Sequence, residues 1–70
     1  MKERELISWE VVDTIGKYTI IKIKERMVDE NGKPFGRIQT WYDICLGNGD
    51  GDIVSSYDNI KGARKWAKEN

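Results

Sequence analysis

The only thiol in the 70 residues is Cys45, and the chain contains no histidine. A cysteine nucleophile needs a neighbouring base to hold it as thiolate. Cys45 therefore reads as a small residue inside a strand. Without histidine, His-based triads, His-ligated metals and a histidine switch near neutral pH fall outside the chemistry of one chain. Glu10, Asp13, Glu25 and Asp43 are the carboxylates that could pair for acid–base work, but nothing in the pattern builds a cleft around them. Asn48, Asp50 and Asp52 alternate like the first three oxygen ligands of a calcium loop. The pattern then breaks, with Ile53 where glycine is required and Asn59 where the closing glutamate is required. The glycines follow neither dinucleotide-binding nor Walker spacing. The expectation is a protein that is not an enzyme, with no metal, no cofactor and no small-molecule substrate.

What remains is binding chemistry. Trp9 and Trp41 are large aromatic surfaces, and Lys22, Lys24, Arg26, Arg37 and Gln39 are polar or cationic. Bases stack on aromatic rings while lysine and arginine take phosphates. Tryptophan and arginine are equally the residues enriched at the energetic centres of protein interfaces.

The elements that must position these groups are legible from turns and alternation. Ile7–Ile15, Tyr18–Val28, Gly36–Leu46 and Ile53–Tyr57 are rich in β-branched and aromatic residues and read as four strands. Gly16-Lys17 suits a two-residue type II′ turn, and Asn31-Gly32 a type I′ turn. The second turn pairs Glu30 with Lys33, Lys24 with Gln39 and Lys22 with Trp41. A third joint, residues 47–52, turns at 48–49 or at 50–51. Residues 59–69 read as a helix with Asp58 as its N-cap. Ile60, Ala63 and Ala67 lie on one stripe with Trp66 at its edge, and Lys61, Lys65 and Lys68 lie on the opposite arc. Gly62, costly inside a helix, would let the first turn approach the sheet. The fold class is α+β: an antiparallel meander of three to four strands with one C-terminal helix on one face, ββββα. Residues 1–70 form one small domain, with 1–6 flexible.

Alternation sorts the strand residues onto two faces. The face expected beneath the helix holds Val12, Ile21, Ile23, Met27, Ile38, Tyr42, Ile44, Leu46, Ile53 and Tyr57. The other holds Trp9, Val11, Ile15, Tyr18, Ile20, Trp41, Cys45 and Val54 at one end and the basic group with Gln39 at the other. One helix of this length covers only one face, so the second is too apolar to be idle. The alternatives are that residues 1–8 fold back over it or that the two faces are reversed.

Twelve basic and twelve acidic side chains give a formal net charge of zero, so no global field draws the chain to nucleic acid or an anionic membrane. The acids nevertheless gather in loops and the bases on the sheet and the outer helix arc, which leaves room for a local basic patch. The residues 1–5 carry acids with no apolar stretch after them, unlike a signal peptide. No run approaches the roughly 20 apolar residues of a membrane span. A cytoplasmic protein with no membrane association is expected, and the single cysteine is compatible with a reducing compartment.

Within Tyr18–Glu69, the segment Ser56-Tyr57-Asp58-Asn59-Ile60-Lys61-Gly62-Ala63-Arg64-Lys65-Trp66 resembles the aromatic, short cap and Ala-x-x-Trp helix start of the AP2-like DNA-binding domains at the N-termini of some phage and transposon integrases. The chain also looks like small phage or mobile-element products. The resemblance implies DNA reading by the exposed sheet face through Lys22, Lys24, Arg26, Arg37, Gln39 and Trp41. The functional expectation is a non-enzymatic binding module, nucleic-acid binding by that face ahead. The alternative is a protein-interaction or self-association module using Trp9, Val11, Ile20 and Trp41.

Overall fold

The computed structural model describes residues 3–48 and 51–70. Four antiparallel strands, β1 (Glu3–Ile15), β2 (Tyr18–Val28), β3 (Pro34–Leu46) and β4 (Ile53–Tyr57), lie in sequence order in one open sheet. Helix α1 (Ile60–Glu69) follows and packs on the sheet. This is the ββββα arrangement expected. The first strand begins earlier than its β-propensity suggests: Glu3, Arg4, Glu5 and Leu6 pair with Val28, Met27, Arg26 and Glu25. Backbone pairing along a long neighbour holds these residues in the ladder, so 3–6 belong to β1. Part of the third joint, residues 49–50, lies outside the described residues, and with it both candidate turns and the calcium-like Asp50.

The first turn forms as expected. Ile15 pairs with Tyr18, and Gly16 supplies the positive φ of 58° that a type II′ turn requires at its first central residue. The second connection differs. The Asp29 carboxylate accepts from the amides of Asn31 and Lys33, both at 2.9 Å, and Asp29 N–H donates to the Lys33 carbonyl at 2.9 Å. The local side-chain bonds of Asp29 outcompete a two-residue Asn-Gly turn, and Val28 pairs with Pro34. A bulge follows: Gly36, Arg37 and Ile38 all lie opposite Arg26, between the pairs Met27–Phe35 and Glu25–Gln39. Gly36 takes φ 74° there, a conformation other residues rarely adopt.

Inward of that bulge Lys24 pairs with Thr40 and Lys22 with Tyr42, in place of Gln39 and Trp41. A shift of one residue moves every side chain of a strand to the other face relative to its neighbour. A second irregularity at Val12 does the same between β1 and β2, since Asp13 pairs with Ile20 but Val11 with Ile21. The expected faces are corrected accordingly. Tyr18, Ile20, Ile44, Ala63 and Ala67 form the buried cluster under the helix, flanked by Val12, Ile15, Tyr42, Tyr57 and Trp66. Ile15, Tyr18 and Ile20 are thus on the helix side, and Ile21, Ile23, Met27 and Ile53 on the other. Val54 falls in a further irregularity, between the pairs Ile44–Ser55 and Cys45–Ile53.

The helix starts one residue later than expected. Asn59, with extended backbone, is the N-cap and accepts from the Gly62 amide at 2.7 Å. Asp58 stands outside and accepts from the Asn59 side-chain amide at 2.9 Å. The helix can approach this closely because position 62 lacks a side chain: a Cβ there would meet Tyr57 Cδ1 at 2.9 Å and Asn59 Oδ1 at 3.3 Å. Trp66 closes the core edge, its ring 5.0 Å from that of Tyr18 at 65°, a favourable edge-to-face arrangement.

Two outcomes follow for urea melts. Trp66→Ala removes a half-buried ring and should cost about 2–3 kcal/mol, below the 3–5 of a fully buried tryptophan; a loss under about 0.5 kcal/mol would detach Trp66 from the core. Gly62→Ala should destabilise by about 1 kcal/mol, because crowding against Tyr57 exceeds the roughly 1 kcal/mol gained in helix propensity. A stabilised Gly62→Ala variant would show that the first turn is free to lift off the sheet.

Candidate functional site

Side chains of directly paired residues share a face, so the register defines the surface that α1 leaves open. It carries five successive rows: Arg4, Met27 and Phe35; Leu6, Glu25 and Gln39; Trp9, Ile23 and Trp41; Val11, Ile21 and Asp43; Thr14, Thr19, Cys45 and Ile53. β1 does not fold back over it, and Trp9 and Ile53 are each 60% exposed, Leu6 53% and Val11 50%. Between these side chains runs a shallow trough of about 430 Å³, floored by Ile21, Ile23 and Cys45. Water meets apolar surface along the trough, the condition that drives association.

The polar residues of these rows are Arg4, Glu25, Gln39, Asp43, Thr14 and Thr19. The Arg4 guanidinium lies 5.6 Å from the Trp41 ring centre, a cation–π contact. Asp43 is buried and accepts from the Ser56 hydroxyl at 2.5 Å. Thr19, also buried, donates its hydroxyl to the Gly47 carbonyl. Burial pushes the Cys45 thiol above its ordinary value, and the Asp43 carboxylate adds to the shift. The thiol is therefore protonated at neutral pH and a weak nucleophile.

The residues expected to act together on DNA are divided. Lys22, Lys24 and Arg26 project from the helix side of the sheet, where their partners on β1 are Glu10, Ser8 and Glu5. Arg26 and Glu5 form an ion pair at 3.2 Å. Gln39 and Trp41 belong to the open face, and Arg37 stands in the bulge with no cross-strand partner. Of the four residues expected at a protein interface, Trp9, Val11 and Trp41 share the open face, while Ile20 is fully buried beneath α1. The five-residue connection 29–33 and the irregularity at Val12 explain both results, since each moves β2 to the opposite side of its neighbour relative to a two-residue turn and a regular ladder. These features, with the irregularity at Ile7, bring Leu6, Ile21, Ile23, Glu25 and Ile53 onto the open face. Only the apolar character of Leu6 and Ile53 hinted at this, because alternation from Trp9 points to Ile7 in place of Leu6.

The carboxylates divide too. Asp13 is on the helix side, bonded to Arg64 Nε at 2.9 Å, with Glu10 opposite Lys22; Glu25 and Asp43 are on the open face. Among the described residues no three His, Cys, Asp or Glu side chains gather to hold a metal ion. Among the described residues no helix is long and apolar enough to cross a membrane. A second charged surface lies on the outer side of α1, where Lys61, Arg64, Lys65 and Lys68 line a shallow groove with Glu69. No family model, no curated protein and no solved structure matches the chain.

Iodoacetamide alkylation of Cys45 reads the environment of the open face. The native rate–pH profile should be displaced to higher pH relative to the urea-unfolded chain, and Asp43→Asn should recover part of the displacement. Superimposed native and unfolded profiles would mean that the thiol is not held in a buried site.

Proposed function

We propose that this chain is a non-enzymatic binding module whose partner is a protein docked on the open face of the sheet. The carrying observation is the exposed apolar surface of Leu6, Trp9, Val11 and Ile53 around the Ile21–Ile23 floor. Contiguous apolar patches beyond a few hundred Å² are seldom left wet on a folded domain. An exposed tryptophan, Trp9, and a half-buried one, Trp41, with Arg4 beside it match the composition of interface centres.

The division of the basic residues favours protein over nucleic acid. Phosphate binding needs cations around the stacking rings. Here Lys22 and Arg26 lie behind the sheet and face carboxylates. Docking by strand addition is also disfavoured. The long edge strand β1 carries irregularities at Ile7 and Val12, and the edge of β3 beyond β4 carries the Gly36 bulge; such bulges interrupt the ladder a new strand would need.

Photocrosslinking inside cells tests the reading. Trp9 replaced by benzoylphenylalanine should yield protein adducts, and the same probe at Lys61 should not. If position 9 gives no protein adduct while a short DNA duplex shifts amide resonances at low salt, the protein-binding reading fails. Shifts centred on Lys61, Arg64, Lys65 and Lys68 would then assign the outer helix to phosphates.

A further inference from the structure

We propose that the occupant of the open face is a second copy of this chain, stacked face to face about a two-fold axis that crosses the strands at the Trp9–Ile23–Trp41 row. The proposal rests on the protein-binding reading above and specifies its partner.

The row pattern is self-complementary about that axis. Two rows lie on either side of the central one. A two-fold axis running across the strands sets each strand antiparallel over its own copy and exchanges the rows end for end. Trp9, Ile23 and Trp41 then meet their own counterparts. Leu6 lies over Val11, apolar on apolar. Gln39 lies over Asp43, so that an amide donor faces a carboxylate. Phe35 and Met27 lie over the end of the face where Cys45 and Thr19 are already buried. Arg4 lies over Thr14, and the unlike pairings are Glu25 over Ile21 and Met27 over Thr19. Sheets stacked in this way cross at about 30° because each is twisted, which leaves the central rows in register.

The other two-fold arrangement, with its axis along the strands, is disfavoured by the same residues. It sets Glu25 against Glu25, Leu6 over Gln39 and Val11 over Asp43. Like charges brought together out of water, and apolar groups set over polar ones, oppose it.

Size and charge agree with a second copy. The molecule measures 42 × 22 × 17 Å, so its broad face matches the roughly 800 Å² per partner that a standard interface buries. The formal net charge of zero means that two copies carry no mutual repulsion. Ile20 and Ile44 are the largest side chains buried completely, and a stacked pair would add a second apolar layer on the far side of the sheet.

Sedimentation velocity on the purified chain, from micromolar to millimolar, should show a monomer–dimer equilibrium. Trp9→Ser should weaken it about 100-fold, as expected for an anchor lost twice per dimer, with an unchanged circular dichroism spectrum because Trp9 is exposed. Gln39→Arg separates the two axes. Over Asp43 it should tighten the dimer about tenfold, and adding Asp43→Asn should remove the gain; over Leu6 it would loosen the dimer. A monomer throughout the range, a dimer indifferent to Trp9→Ser, or loosening by Gln39→Arg overturns the proposal. A purified monomer whose position-9 probe captures a different protein in cells leaves the protein-binding reading standing and removes only the second copy. A purified monomer that gives no adduct in cells and whose amide resonances shift with a short DNA duplex removes both.

Discussion

Ala63 and Ala67 sit in one buried cluster with Ile20 and Ile44, and this contact decides which side of the sheet is interior. Alanine is the residue that permits it. With no side chain beyond Cβ, the helix axis comes close enough for two isoleucines to lose all contact with water. Gly62 extends the close approach to the first turn, against the Tyr57 ring. Tyr18 and Trp66 close the edge. A ten-residue helix spans only the β4 end of a 42 Å molecule. The other face of the sheet is left to its own side chains.

Those side chains are sorted by the pairing register. If β1, β2 and β3 were regular and joined by two-residue turns, Ile20 would lie on the same side as Trp9 and Trp41, with the basic residues of β2 beside them. Instead the five-residue connection 29–33 and the irregularity at Val12 each offset the pairing by one residue, while the bulge at Gly36 adds two residues and keeps the facing. As a result Ile20 goes under the helix and Ile21 and Ile23 come to the open face. The apolar surface thereby acquires a continuous floor between its two tryptophans. The irregularities at Val12 and Gly36 interrupt the free backbone of the exposed edges, which limits pairing with stray strands.

The charges follow the same division. Glu5 and Glu10 lie opposite Arg26 and Lys22 on the helix side of the sheet, and Asp13 ties Arg64 of the helix to β1. The Arg26–Glu5 and Arg64–Asp13 ion pairs are partly exposed, and each contributes at most about 1 kcal/mol. Their main effect is distribution: the side of the sheet that continues beyond the helix carries paired charges, and the opposite side carries the apolar trough. A nucleic-acid surface needs the reverse arrangement, with aromatic rings and unpaired cations on one side.

Local features of the chain determined the elements. β-branched runs set strands that agree with the structure to within a few residues, except at the start of β1. Gly16 set the first turn, and the Ile60–Ala63–Ala67 stripe set the buried side of the helix. These depend on dihedral preference and short-range periodicity, which are carried by neighbours in sequence. The presence of an uncovered face was also legible, because one short helix cannot cover two. Which residues occupy it was not. That depended on Asp29 taking the amides of Asn31 and Lys33, and on the extra residue at Val12 being extruded from the ladder. A bulge has no local signature strong enough to mark it. It forms where pairing on both sides and burial of Ile20 against Ile44 together outweigh one interrupted rung, and that balance exists only once strands distant in sequence are side by side.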